Sequence, residues 1–446
     1  MTKNHIDIIT LGCSKNLVDS EKLIRQLEVR GYTVAHDAEK PKGNIVIINT
    51  CGFIGDAKEE SIEMILHFTE KRKKGKIDKL LVMGCLSERY AKELQAEISE
   101  VDRFYGKFDF QEIINDLGYA VETLPATSLQ KPDWQIERRL TTPPHYAYLK
   151  IAEGCNRSCS FCAIPLMTGK YKSRSIEELE AEVRWLVGQG VKEFQLIAQD
   201  LSYFGLDLYK NLKLAQLTAR LSDIPGVEWL RLHYAYPAHF PFDVLPVMRE
   251  RENVCNYLDI ALQHSSDKML NLMRRNFTKA ETDGLISRIR EEVPNINLRT
   301  TLLVGHPNET EEDFEELKQF VRDMRFERMG AFAYSDEEGT YASKHYKDNV
   351  PQETKQQRVD ELMAIQQEIS LENNQKKIGK TLKTIIDSEN AEYYTGRTEF
   401  DSPEVDNEVL IQNASASLGN RKKLKIGEFY QVEIIDAGEF DLYGKI

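Results

Sequence analysis

The chain has 446 residues, 41% of them hydrophobic, and 59 Lys plus Arg against 72 Asp plus Glu give it a formal net charge of −13. That length exceeds what one core accommodates and calls for two to three domains. The acidic balance excludes wholesale nucleic-acid binding, which uses Lys and Arg to displace counterions from phosphate, though not a local basic groove. No apolar run approaches the ~18 residues needed to span a bilayer, and residues 1–7 carry neither a signal-peptide nor a transit-peptide pattern, so a cytoplasmic protein with no membrane partner is expected. Seven cysteines, an odd number in a reducing compartment, suit metal ligation better than a disulfide framework.

Residues 1–122 alternate short apolar runs with helical periodicity, the pattern of βα units on an open parallel α/β sheet. Segments 6–11, 45–48 and 79–83 read as buried strands, with helices expected over 19–30, 56–74 and 87–99. Each strand runs into a cysteine, in turn Cys13, Cys51 and Cys85. In such a sheet every strand-to-helix turn lies on the carboxyl edge, where ligands bind, so three cysteines distant in sequence converge on one crevice. A second metal cluster is the reading that accounts for all three. Small, partly buried residues closing strands is the alternative.

Segment 123–144, with Pro125, Pro132, Pro143 and Pro144, reads as a linker. A domain over 145–375 follows, opening with a strand at 146–152 that leads into Cys155, Cys159 and Cys162. Three thiolates so close together can hold an iron–sulfur cluster with one iron left open. A structural zinc site or a ferredoxin loop closes with a fourth ligand, and no fourth Cys or His follows nearby. Strand candidates at 193–198, 229–233, 258–261 and 298–304, separated by helices such as 176–189, imply about six βα units in a partial β/α barrel. Gln199, Asp200, Gln263, His264, Arg299 and Thr300 are then polar candidates on or near its carboxyl rim. Thr310 with Glu311 and Glu312 reads as a helix start, and Cys255 as packing. After a long helix from 352 to about 377, residues 376–446 show short strand patterns at 382–386, 407–411 and 430–435, expected to form a small antiparallel β-barrel. This tail holds 10 Lys plus Arg and 13 Asp plus Glu, and from Asp387 to Glu408 eight acids accompany only Arg397, which reads as a surface that repels phosphate and suits a basic protein.

The Cys155 loop, with Phe161 before its last cysteine, is similar to the cluster loop of the radical S-adenosylmethionine enzymes. Nearly the whole chain resembles the methylthiotransferases of that superfamily, which carry an N-terminal cluster domain, a radical barrel and a C-terminal TRAM-type barrel. Leu11-Gly12-Cys13-Ser14-Lys15-Asn16-Leu17-Val18-Asp19-Ser20-Glu21 is close to the branch that modifies an aspartate of small-subunit ribosomal protein twelve. The tRNA-modifying branch usually has Gln-Met-Asn or Lys-Val-Asn after that cysteine. Ala198-Gln199-Asp200, Tyr234-Ala235-Tyr236-Pro237 and Tyr334-Ser335-Asp336-Glu337-Glu338-Gly339-Thr340 point the same way. The resemblance implies two 4Fe-4S clusters, on Cys155, Cys159 and Cys162 and on Cys13, Cys51 and Cys85, with S-adenosyl-L-methionine on the open iron of the first. It implies a 5′-deoxyadenosyl radical that removes the β-hydrogen of the aspartate, and methylated sulfur presented by the second cluster. Phe161, Gln199, Asp200, Gln263 and Arg299 are the expected cofactor-binding residues, Asp200 toward the ribose and Arg299 toward the amino-acid carboxylate. The implied partners are ribosomal protein twelve, free or in the subunit, and an electron donor, with no direct tRNA substrate. The alternatives are a tRNA adenosine methylthiotransferase and a non-catalytic iron–sulfur carrier. One departure is Thr168 in Ile164-Pro165-Leu166-Met167-Thr168-Gly169, where the family commonly has Arg, a role left to Arg174 or Lys170.

Overall fold

The computed structural model describes residues 2–120, 133, 136–413 and 423–446, so most of the expected linker lies outside the described residues. The N-terminal part is a five-stranded sheet of β1 (Thr2–Thr10), β2 (Thr33–His36), β3 (Gly43–Thr50), β4 (Lys79–Gly84) and β5 (Arg103–Phe104), all parallel, in the order β2-β1-β3-β4-β5. Successive strand residues point to opposite faces. Ile6, Ile8, Ile45, Ile47 and Leu81 pack with α1 (Ser14–Val29) and α4 (Phe110–Leu117) on one face, and Ile9, Val46, Ile48 and Val82 pack with α2 (Gly55–Lys73) and α3 (Cys85–Glu97) on the other. Both faces are covered, which is why these strands read as continuous apolar runs. Each fully buried isoleucine contributes roughly 1.5–3 kcal/mol. Strand order reverses between β1 and β3, which opens a crevice at their carboxyl ends.

The central part is an open sheet of six parallel strands in chain order: β6 (Tyr146–Lys150), β9 (Glu193–Ile197), β10 (Trp229–Ala235), β11 (Val254–Gln263), β12 (Asn297–Val304) and β13 (Arg328–Ala333). One large apolar core fills it. Between β6 and β9, the short pair β7 (Ala152–Glu153) and β8 (Lys172–Ser173) is antiparallel and ties together the two ends of the cysteine loop. Thr310 caps the helix Glu311–Met324 with a reciprocal capping box, the helix start its sequence implies. Cys255 is fully buried against Trp229, Tyr257 and Ile385. No helix among the described residues is long and apolar enough to cross a membrane.

After the helix Gln352–Gln375, β14 (Thr381–Glu389), β15 (Tyr393–Thr398), β16 (Glu408–Gln412), β17 (Phe429–Ala437) and β18 (Asp441–Lys445) close into a barrel in the order β14-β15-β16-β18-β17. The pair β16–β18 is parallel and the rest antiparallel, a correction to the all-antiparallel expectation. Five strands make the correction necessary, because a closed ring with an odd number of strands cannot alternate throughout.

The acidic run of the tail is also corrected. Much of it faces inward. Asp387 and Glu193 share Arg397, at 2.7 Å each, Asp401 pairs with Arg328, and Asp406 pairs with Arg299 at 2.9 Å. Glu404 accepts hydrogen bonds from the hydroxyls of Tyr146 (3.0 Å) and Tyr148 (3.2 Å). These acids clasp the β-barrel to the central sheet, so the phosphate-repelling surface is smaller than the composition implies. On the other side, Lys58 and Arg89 reach Glu337 at 2.8 and 3.0 Å and dock the N-terminal sheet on the loop after β13.

Candidate active site between two cysteine sets

Each N-terminal cysteine sits where a parallel strand ends. Cys13 caps α1 after β1, Cys51 follows β3, and Cys85 opens α3 after β4. Cys13 and Cys51 flank the crevice at the order reversal, and Cys85 lies one strand further. Gly12, at φ +91°, lets Cys51 approach, because an added Cβ would stand 2.7 Å from Cys51 Cβ and 2.9 Å from its sulfur. The backbone of Cys51 is held by Ser61, whose hydroxyl accepts from its amide (3.0 Å) and donates to its carbonyl (2.9 Å).

The second set lies on the loop between β7 and β8. Arg157 donates its backbone amide to Cys155 sulfur at 3.4 Å and its side chain to Asp200 at 2.6 Å. Arg275, after the helix Asp267–Leu272, donates to Cys159 sulfur at 3.1 Å. The two guanidinium groups lie 4.0 and 4.2 Å from the centre of the same Tyr236 ring, cation–π contacts that fix both.

All six cysteines line one cavity of about 430 Å³, within the ordinary range of small-molecule sites. Phe161, Gln199 and Gln263 line it, and so do Lys107, Arg157 and Arg275. Asp200 is buried behind Arg157 and is not in the wall. Arg299 does not reach the cavity, because Asp406 takes its guanidinium, and this corrects its assignment to the cofactor carboxylate. His264 is buried and turns Nδ1 to the amides of Ser265 and Ser266 at 3.0 Å each. Thr168 lines the cavity and bonds its own helix at Ile164, whereas Arg174 pairs with Glu182 and stays out of it.

Burial governs most of the thiols. It pushes Cys85 up to about 12 and Cys155 up to about 11, and raises Cys51 and Cys162. Cys13 is an exposed residue; desolvation at its sulfur still pushes upward, but Lys15, the Asn16 amide and Lys107 outweigh it and leave that thiol lowered. Thiols held up this way give up their protons when a metal takes their place. Lys107 Nζ lies 3.9 Å from Cys85 sulfur, 3.2 Å from Asp19, 3.4 Å from Asn16 Oδ1 and 3.9 Å from Glu153. Lys150 bonds both Asp19 and Glu153, and Gln199 donates to Glu153. Burial opposes charge on Lys107, Lys150 and Glu153, yet attraction prevails: Asp19 and then Glu153 raise both lysines, and Lys150 with Lys107 brings Glu153 down to about 2.

The residues fit iron–sulfur clusters and a cofactor beside them. Among the described residues, no three His, Cys, Asp or Glu side chains gather tightly enough to share one ion, as a zinc site requires. A cluster instead spreads its thiolates over separate irons. Gln199 Oε1 is buried in the cavity wall without a hydrogen-bond partner, a free acceptor for a bound group.

Sequence reasoning did not single out Lys107, Arg157, Arg275 or Tyr236 as site residues. Arg157 lies inside the cysteine loop, and Lys107 comes just after the end of a parallel strand, the same topological signal that found the cysteines. Arg275 carried no such signal, since its place depends on the turn between Arg274 and Asn276, both at positive φ (+56° and +57°).

Family models match the chain in three consecutive stretches: uncharacterized protein family UPF0004 over residues 5–106, the radical SAM superfamily over 149–321 and the TRAM domain over 378–446. The chain is 63% identical over 446 residues, all of both chains, to the ribosomal protein uS12 methylthiotransferase RimO of Phocaeicola vulgatus. It is 63% identical to that of Bacteroides thetaiotaomicron, over 100% of this chain and 99% of the other, and 51% identical to that of Flavobacterium johnsoniae, over 100% and 98%. Among solved structures, the radical S-adenosylmethionine methyltransferase TsrM of Kitasatospora setae shares the fold at a TM-score of 0.53 and 15% identity, covering 74% of this chain and 72% of its own. With both cysteine sets on one cavity and such identity over the full length, the chain belongs to the RimO family of radical S-adenosylmethionine methylthiotransferases.

Proposed function

We propose that this protein adds a methylthio group to the β-carbon of an aspartate in ribosomal protein uS12. Cys155, Cys159 and Cys162 hold one 4Fe-4S cluster with S-adenosylmethionine, and Cys13, Cys51 and Cys85 hold a second cluster that supplies sulfur. The observation that carries the reading is the single cavity with all six cysteines in its wall, since sulfur insertion requires both centres to face one substrate carbon. When bound, these groups supply the radical and the sulfur that an unactivated carbon needs.

The chain binds, orients and excludes water. Gln199 Oε1, in the cavity wall, is the free acceptor for the adenosyl group, and Asp200, behind the wall, holds Arg157 in place. Arg275 donates to Cys159 and keeps that ligand oriented. Phe161, Met167 and Tyr236 give the wall its apolar part, which sequesters reactive species from solvent. An electron donor supplies the reducing equivalents, and a ribosomal substrate puts the reaction in the cytoplasm.

The test is anaerobic reconstitution with iron and sulfide, followed by S-adenosylmethionine, a reductant and a peptide from the aspartate loop of uS12. Mass spectrometry is expected to show one methylthio group on the aspartate. Methylthio-adenosine in tRNA, with an unmodified peptide, overturns the reading.

A further inference from the structure

We infer that Lys107 is a positioning residue of the transfer reaction: its ammonium supplies the positive charge beside the Cys13, Cys51 and Cys85 site and ties that site to the Cys155 loop. The inference rests on the reading of those three cysteines as a cluster site. Its basis is a buried network that spans both halves of the cavity. Lys107 is 2% exposed, lines the cavity, and has its backbone amide anchored on Glu88 at 2.7 Å. Its Nζ is placed between Cys85 sulfur and Asn16 on one side and Asp19 and Glu153 on the other. Asp19 belongs to α1 of the N-terminal sheet, and Glu153 belongs to β7, two residues before Cys155. Lys150 closes the network by bonding both acids.

The charges balance, two lysines against two carboxylates, and nearly all are shielded from water. An isolated ammonium buried here would be costly, and the two carboxylates are what make it tenable. Of the four groups, only Lys107 comes within 4 Å of an N-terminal cysteine sulfur. Removing it leaves a net negative charge beside Cys85. A cluster gains negative charge on reduction, so a fixed cation next to one of its thiolates raises its potential, and loss of that cation lowers it.

The experiment uses the full chain with Cys155, Cys159 and Cys162 changed to Ala, leaving only the N-terminal set to take up iron. Parent, Lys107→Met, Lys107→Arg and the charge-balanced pair Lys107→Met with Asp19→Asn are reconstituted anaerobically. Iron and sulfide content and the EPR-monitored reduction potential are then measured. The expected result is one cluster per chain throughout, a lower potential in Lys107→Met, and recovery toward the parent in Lys107→Arg and in the balanced pair. If Lys107→Met takes up no cluster while the other two do, the charge requirement stands. An unchanged potential in a loaded Lys107→Met protein overturns the role of Lys107 and leaves the second-cluster reading intact. Failure of Lys107→Arg and the balanced pair along with Lys107→Met also overturns it, since shape rather than charge is then decisive. A parent that takes up no iron overturns the second-cluster reading, and this inference with it.

Discussion

The two cysteine sets reach one cavity by opposite routes. Cys155, Cys159 and Cys162 lie on a single loop whose ends are pinned by the two-residue strands β7 and β8, so local geometry suffices to gather them. Cys13, Cys51 and Cys85 come from three strand ends, and they meet only when β1, β3 and β4 are paired in register. The first set is a local motif that can be carried on many barrels; the second is a property of a whole sheet. Each has one buried cation on one sulfur, Arg275 on Cys159 and Lys107 on Cys85, but the cations differ in kind. Arg275 is held within the central domain by Tyr236 and by the Ala261 carbonyl, whereas Lys107 is held by carboxylates from two domains. The loop set is therefore orientated from within its own domain, and the sheet set depends on how the domains dock.

The sharpest way to break this comparison is to remove one ligand from each set. Cys159→Ala is expected to reduce 5′-deoxyadenosine formation to the uncatalysed background, and with it all peptide modification, measured by chromatography and mass spectrometry on the reconstituted protein. Cys51→Ala is expected to retain 5′-deoxyadenosine formation within a few-fold and to lose methylthio transfer. Transfer that survives Cys51→Ala removes the division of labour between the sets.

The legibility of the two sets differed in the same way as their construction. The loop was readable from spacing alone. The sheet set was readable because parallel strands run into the cysteines, and the topology then places those ends on one edge. Beyond this, what failed to show was whatever is too short to leave a pattern or depends on a distant partner. The two-residue strand β5 is too short to leave a periodic signal, so Lys107 escaped notice although it follows a strand end as the cysteines do. Of the barrel strands, β15 and β18 were missed, although each forms a hairpin with the strand before it; both are short, and Gly396 and Gly444 interrupt their apolar patterns. Composition showed the acids of the tail but not their burial. Asp401 and Asp406 read as solvated until the arginines of β12 and β13 are seen across the interface.

A smaller effect is expected where the sheet set depends on backbone. Gly84, just before Cys85, has φ +103° and ψ −163°, a region open essentially to glycine, and an added Cβ would lie 2.5 Å from Asn49 Oδ1 and from the Thr50 carbonyl. Gly84→Ala is expected to destabilise the N-terminal sheet by about 3 kcal/mol or more. Thermal unfolding followed by circular dichroism measures the loss. In the folded fraction, 5′-deoxyadenosine formation should persist while methylthio transfer falls, because only the sheet set is displaced. Loss of both activities in parallel would mean that the loop set leans on the sheet more than its local construction implies.

The smallest expected effect tests the reassignment of Arg299. Its guanidinium bonds Asp406 at 2.9 Å, and Asp406 also accepts from the Tyr257 hydroxyl (2.8 Å) and the Ser402 amide (2.9 Å). Asp406 therefore keeps two partners when Arg299 is removed, which places the cost below that of stripping a buried pair bare. Arg299→Met and Asp406→Asn are each expected to cost about 1–3 kcal/mol in denaturant unfolding, with a coupling of about 1–2 kcal/mol in the double-mutant cycle. A residue of the clasp leaves S-adenosylmethionine cleavage in the folded enzyme within about two-fold, whereas a residue that holds the cofactor carboxylate weakens cofactor affinity by an order of magnitude or more, since a charge-assisted hydrogen bond is worth roughly 1.5–3 kcal/mol. Zero coupling to Asp406 together with a large rise in the cofactor KM would return Arg299 to the active site and take it out of the clasp that holds the β-barrel.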